Sequence, residues 1–315
     1  MRWGVPVFVM ISGALFLDPA RSISIRKLYS KNILHLAGVL LFWSVCYAWS
    51  GFINYPPATV QSLFENIVLG RIHLWFVYML LGLYVVVPLL RPICRDKKLL
   101  RYFWAVSLIF SFLIPTIVQV LTGLDLLMPN SLFSLGLQWL NRLLAENIRF
   151  HFTLEYVSYF VLGYFVYANS PQALVRKIIY VLGILGVVFA ILFARTVSRG
   201  IAAPFDLNTQ ANMTLYVLFE ALAVFVFVKA HIYQLPAKCL ACFRHLSTCV
   251  FGIYLIHIGI QNELSQYLRQ LLAQVAPWGI GVVFLVIVWG ILIFLLSWIA
   301  TEVIRKIPWI NKYIL

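Results

Sequence analysis

The chain has 315 residues, of which 63% are hydrophobic and only 11% charged, with a formal net charge of +14. A soluble domain of that length carries about a quarter charged residues, so too few polar side chains are present to cover a water-facing surface. A soluble globular fold is excluded, and the apolar runs are continuous rather than alternating, which excludes a transmembrane β-barrel.

Taken in chain order, the apolar stretches cover residues 3–17, 33–53, 73–90, 102–122, 152–168, 178–194, 213–228, 249–262 and 278–300. A helix needs roughly 17–25 apolar residues to cross about 30 Å of hydrocarbon. The pattern therefore predicts an all-α, polytopic membrane helix bundle of about nine transmembrane helices. No repeat, low-complexity tract or Gly/Ser linker divides it, so a single membrane-embedded domain over residues 1–315 is expected.

The positive charge is distributed by side. The segments between spans alternate between rich and poor in Lys and Arg, and the rich ones carry seventeen of the 24 basic residues. Arg21, Arg26, Lys27 and Lys31 follow the first span; Arg91, Arg95, Lys97, Lys98 and Arg101 follow the third; Arg176 and Lys177 follow the fifth. Lys229, Lys238 and Arg244, then Arg305, Lys306 and Lys312, complete the set. Basic loops stay in the cytoplasm, which puts the C-terminus inside and residue 1 outside. The charge thus reports topology, and no nucleic-acid partner is expected. The longer polar-leaning segments, 123–151 and 195–212, fall outside, where they either meet an acceptor or simply connect spans.

Ionisable groups at membrane depth are costly and are functional candidates by default. Arg2 opens the first span and His73 the third, followed by Trp75 and Tyr78. His151 and Glu155 begin the fifth, while Arg195 and Arg199 flank the outer end of the sixth. Tyr254 and His257 occupy the outer half of the eighth, with Asn262 at its exit. Each has a plainer alternative: His73 and Trp75 as interfacial anchors, Glu155 as a charge at a helix start, His257 as a packed histidine. Glu220 lies deeper in its span and is either a protonated carboxyl bonded to a neighbour or part of a proton or substrate path. On the inner side, Arg26, Lys27 and Lys31 lead into a span with Asn32 and His35, beside Ser12-Gly13. They suit the phosphates of a nucleotide-like donor or serve only as topology signals. Cys239-x-x-Cys242 with His245 lacks a four-ligand set, so no metal is expected there.

Several strings resemble the acyltransferase-3 family of integral membrane O-acyltransferases. Val5-Pro6-Val7-Phe8-Val9-Met10-Ile11-Ser12-Gly13 is similar to its second-helix signature, and His73-Leu74-Trp75-Phe76 with Tyr84 and Pro88 to its "HLWF…Y…P" helix. Residues 160–164, with Leu162-Gly163, resemble a "Y…LGY" segment, and Phe251-Gly252-Ile253-Tyr254-Leu255-Ile256-His257 a "GIY-x-x-H" helix. Enterobacterial common antigen O-acetyltransferases are the members it resembles most; there Arg2 and Ser198-Arg199-Gly200 also find counterparts.

The resemblance implies transfer of an acyl group, usually acetyl from acetyl-CoA, to a hydroxyl of a cell-envelope polysaccharide or lipid-linked glycan, with no bound cofactor. It implies a multi-pass protein of the bacterial inner membrane, in contact with membrane lipid, that takes acyl-CoA from the cytosol. His257, His73, Arg2 and Glu155 are the expected catalytic residues. Tyr254, Trp75, Arg199, Ser12, Arg26, Lys27 and Lys31 are the expected substrate-binding ones. Two departures stand out. The family's first helix, with a basic residue ahead of a catalytic His, has no counterpart here, so an N-terminally truncated form of a ten-span protein is expected. Its basic "RxxR" pair corresponds to Asn32-x-x-His35 beside Lys31. The alternatives are a non-enzymatic exporter or flippase for a lipid-linked glycan, with Glu220 and Arg199 as path residues, and an inactive acyltransferase fragment.

Overall fold

A computed structural model describes residues 2–54, 59–70, 72–128, 132–144, 151–202, 212–275 and 279–313. Among these the regular elements are helical and none is a strand. In chain order they are α1 (Gly4–Phe16), α2 (Ile25–Ile53), α3 (Val60–Leu69), α4 (Trp75–Arg95), α5 (Lys97–Leu127), α6 (Leu132–Arg142), α7 (His151–Ala168), α8 (Ala173–Gly200), α9 (Leu215–His231), α10 (Ala237–Val275), α11 (Gly279–Arg305) and α12 (Pro308–Tyr313). The fold is an all-α polytopic membrane bundle.

Among the described residues, seven helices are long and apolar enough to cross a membrane: α2, α4, α5, α8, α9, α10 and α11. They match seven of the nine apolar stretches in order. The fifth stretch corresponds to α7, with 18 residues. The first corresponds to α1, which has 13 residues. At 1.5 Å per residue that is about 20 Å, short of the hydrocarbon thickness. Asn130 and Asn208, in the segments expected outside, lie outside the described residues, as does the side chain of His151.

The chain forms two compact units. One comprises Met1–Ile25 and Gly82–Gln234; the other comprises Arg26–Leu81 and Leu235–Leu315.

In the first unit α1 packs along α7, and glycine makes that approach possible. A methyl group at Gly13 would run into the backbone carbonyl of Phe160, and one at Gly163 into the backbone of Met10. Close backbone approach through small residues is how helices associate where lipid is as apolar as the side chains. The buried core here includes Val9, Met10, Phe112, Tyr159 and Phe160. Tyr84 of α4 packs its ring 4.4 Å from that of Phe16 and shares a hydrogen bond with Ser12.

Two basic residues of this unit close helix ends. Arg91 donates to the carbonyls of Phe16 at 3.1 Å and Asp18 at 3.0 Å, satisfying the last turn of α1. Lys229 donates to the Val166 carbonyl at 2.8 Å, at the end of α7. Cations at helix C-termini complement the macrodipole as well as the orphan carbonyls.

The second unit is built on the hairpin of α10 and α11, with α2 beside α3. Val39, Leu74, Val77 and Leu255 are buried in it. The α3 helix starts with a reciprocal cap, the Thr59 side chain accepting from the Ser62 amide while Ser62 accepts from the Thr59 amide. Along α11, Val283, Phe284, Ile287 and Ile291 are exposed, an apolar face of the kind a bilayer covers.

Candidate functional site

The second unit brings together two histidines and two tyrosines from three helical segments. His73 sits in the single 3₁₀ turn, Ile72–Leu74, that leads into α4, and it is buried. Its ring is 5.8 Å from that of His257, 6.1 Å from Tyr254 and 4.9 Å from Tyr47, each edge to face. The hydroxyl of Tyr254 donates to the backbone carbonyl of His73, which ties the turn to α10. Phe76 packs 5.3 Å from Tyr254 on the same side. The His73–Phe76 string and the Phe251–His257 string, far apart in sequence, therefore meet in space.

The state of His257 follows from one contact. Its Nδ1 lies 2.6 Å from the backbone carbonyl of Tyr254. A carbonyl only accepts, so Nδ1 carries the proton and, in the neutral ring, Nε2 holds the lone pair. That is the tautomer a general base requires.

Tyr47 supports the same turn of α10. Its hydroxyl donates to the Leu255 carbonyl at 2.6 Å and accepts from the Gly259 amide at 3.3 Å. Those two backbone groups are four residues apart on an unbroken helix, so the phenol braces the helical turn that carries His257. Tyr47 was absent from the sequence-derived candidates. A tyrosine in an apolar span carries no signal until its partner, 208 residues away, is known. Beside Tyr47 and Gly259 lies a groove of about 580 Å³, lined chiefly by apolar side chains such as Trp43, Ile256, Ile260 and Leu296, with Glu263 at its edge.

Trp75, next to His73, is exposed. Arg26, Lys27 and Lys31 are also exposed, and Lys31 belongs to a π-helical turn over Leu28–Ile33 in α2. Such turns recur at functional positions. These four residues and the His73–His257 cluster belong to one unit.

The remaining candidates belong to the first unit. Arg2 lies within electrostatic reach of the Tyr156 and Tyr216 hydroxyls, and Glu155 acts on Tyr156 as well. Glu155 is half-buried at a break in the helical backbone of α7. Around them runs a polar network. Asn212 donates to the Tyr156 hydroxyl at 2.8 Å and its carbonyl accepts from Tyr159 at 2.7 Å. Tyr216 donates to Gln119 at 2.6 Å. Ser12 is buried against Tyr84 between packed helices. Arg199 is exposed in the last turn of α8, where a cation suits the helix dipole. Glu220 is 4% exposed, and its Oε2 has no hydrogen-bond partner among the described residues. It borders an apolar cavity of about 370 Å³ with Trp3, Tyr180, Gly183 and Phe227.

No curated protein and no solved structure matches the chain. The acyltransferase-3 family model, described as "Acyltransferase domain", matches residues 1–309. That match spans nearly the whole sequence, both units and every string noted above. The chain is thus a member of the acyltransferase-3 family, an acyltransferase built as a multi-pass membrane protein.

Proposed function

We propose that the protein is an O-acyltransferase of the bacterial inner membrane that moves an acyl group, acetyl in the first instance, from cytosolic acyl-CoA to a hydroxyl of a cell-envelope polysaccharide or lipid-linked glycan. The observation that carries this reading is His257, whose Nδ1 is held by the Tyr254 carbonyl while its ring stands 5.8 Å from that of His73. In the step envisaged, Nε2 takes the proton of the acceptor hydroxyl as its oxygen attacks the thioester carbonyl. The C–S bond then breaks, CoA leaves as the thiolate and recovers a proton from the imidazolium. A thioester has a good leaving group, so base catalysis and steadying of the oxyanion are the main needs. His73 is assigned to the oxyanion or to orienting the acceptor, with Tyr254 holding its turn in place.

Arg26, Lys27 and Lys31 are assigned to the donor's phosphates, for which Lys and Arg are suited. The polar group around Arg2, Glu155 and Tyr156 is assigned to the acceptor's hydroxyls, Trp75 to a sugar face, and Arg199 to an anionic part of the glycan. The groove by Tyr47 has the volume of a small-molecule site and an apolar lining suited to a lipid carrier. The C-terminus is assigned to the cytoplasm on the distribution of basic residues.

The test is acyl transfer by the purified, reconstituted protein supplied with acetyl-CoA and a lipid-linked glycan. Free CoA thiol should appear with wild-type protein and require the acceptor, and His257→Ala should abolish it. Absence of transfer and of acyl-CoA hydrolysis across short-chain donors and glycan acceptors, from folded protein, would overturn the proposal.

A further inference from the structure

The other end of the α10–α11 hairpin holds a cluster that acyl transfer does not use. His245 Nε2 is 2.7 Å from Glu302 Oε1, and Cys249 Sγ donates to the same oxygen at 3.0 Å. One ligand atom from each of the three residues lies within 4.8 Å of the others. His245 and Cys249 are one helical turn apart on α10, and Glu302 faces them from α11. Cys249 is fully buried, while the side chains of His245 and Glu302 are 55% and 34% exposed. One flank of the cluster is therefore closed and the other meets solvent. Arg305 donates to the Thr248 hydroxyl at 2.9 Å, stands 3.0 Å from Cys249 Sγ and lies 3.7 Å from Glu302.

We propose that His245, Cys249 and Glu302 form a binding site for a divalent cation of zinc type. Imidazole nitrogen, thiolate sulfur and carboxylate oxygen are the three donors Zn²⁺ takes, and soft thiolate selects against Mg²⁺ and Ca²⁺. At bond lengths of about 2.0–2.3 Å, tetrahedral ligands stand roughly 3.4 Å apart. The two distances to Glu302 Oε1, 2.7 and 3.0 Å, need to lengthen by less than an ångström to reach that spacing, and the remaining pair lies within 4.8 Å. Three protein ligands leave a fourth position, on the solvent-facing flank, for water. The thiol proton and any proton on His245 Nε2 go to solvent on binding, which leaves thiolate and neutral imidazole as ligands. A thiolate and a carboxylate balance the ion's two charges, so Arg305 turns away toward Thr248 and water. The ion ties α10 to α11 at the end of the hairpin away from His257.

Cys239 and Cys242 are exposed on the same helix and take no part in the cluster, which makes the proposal separable from a simple Cys-x-x-Cys site. The full chain, purified in detergent and stripped with a chelator, is titrated with Co²⁺ as the spectroscopic stand-in. One equivalent should bind with a thiolate-to-cobalt charge-transfer band. Cys249→Ser should remove the band and weaken binding at least about tenfold. His245→Ala, at an exposed position that does not endanger the fold, should weaken it as much. Cys239→Ser/Cys242→Ser should keep both band and affinity. A band that persists in His245→Ala and Cys249→Ser, a band lost in the Cys239/Cys242 variant, or no band in folded wild-type protein would each overturn the assignment.

Discussion

His257 donates its Nδ1 proton to the backbone carbonyl of Tyr254, three residues earlier on the same helix, at 2.6 Å. The bond spends one ring nitrogen on orientation and leaves the other to chemistry. A helix that is unbroken from 237 to 275 thereby holds an imidazole in one tautomer beside a second imidazole. Replacing His257 by alanine should lower acyl transfer by about 10²- to 10⁴-fold, the span of general base catalysis. Insertion and detergent extraction should stay normal. His73→Ala and Arg2→Ala should each cost less. Near wild-type transfer by His257→Ala in the reconstituted assay would leave that residue as packing.

Tyr254→Phe removes one hydroxyl and nothing else. The His73 carbonyl loses its donor, at a cost of about 1 kcal/mol in stability. The turn that carries His73 is then less fixed. The expected kinetic outcome is a lower kcat with little change in KM for acyl-CoA, read from initial rates at varied donor concentration. A raised donor KM with unchanged kcat would instead make Tyr254 a donor contact.

Tyr47→Phe tests the bracing phenol. Without it the Leu255 carbonyl and Gly259 amide lose only their bonds to the hydroxyl, so thermal stability should fall by no more than about 1 kcal/mol. The turn that carries His257 is then less firmly held, and transfer should fall several-fold. Comparison of the melting midpoint with the rate separates the two effects.

The packing of α1 on α7 makes a sharp contrast among glycines. Gly13→Ala and Gly163→Ala place a methyl group against partner backbone, which cannot swing aside. Each should destabilise by about 1–3 kcal/mol, as overpacking does. Gly38→Ala and Gly82→Ala meet nothing within 4 Å and should be close to neutral. The fraction of monodisperse protein after a heat step in detergent gives the comparison.

Reporter fusions at Arg95, Lys238 and Lys312 are expected to read cytoplasmic, and those at Asn130 and Asn208 external. A cytoplasmic reading at Asn130 would overturn the sidedness used for donor and acceptor.

Hydropathy and charge pattern alone specify the solvent and the fold class. Continuous apolar runs between clusters of Lys and Arg admit only membrane helices, because backbone polar groups in lipid must pair within their own segment. The same pattern also singles out His73, Tyr254 and His257, since ionisable and polar groups in such runs stand out. Their meeting was decided by tertiary structure. Residues 73 and 257 lie on separate helices, and nothing in either apolar run encodes which face of one turns toward the other. The same holds for Tyr47, whose hydroxyl acquires meaning only from Leu255 and Gly259, and for Glu302, which reads as an ordinary helix-end carboxylate until His245 and Cys249 face it. Arg91 looked like a loop charge and is a cap on α1, while Ser12-Gly13 lies between packed helices. In lipid, apolar side chains contribute little to partner choice, so close backbone approach and a few long-range hydrogen bonds fix which helices meet. Those contacts join residues distant in sequence, and only the folded chain reveals them.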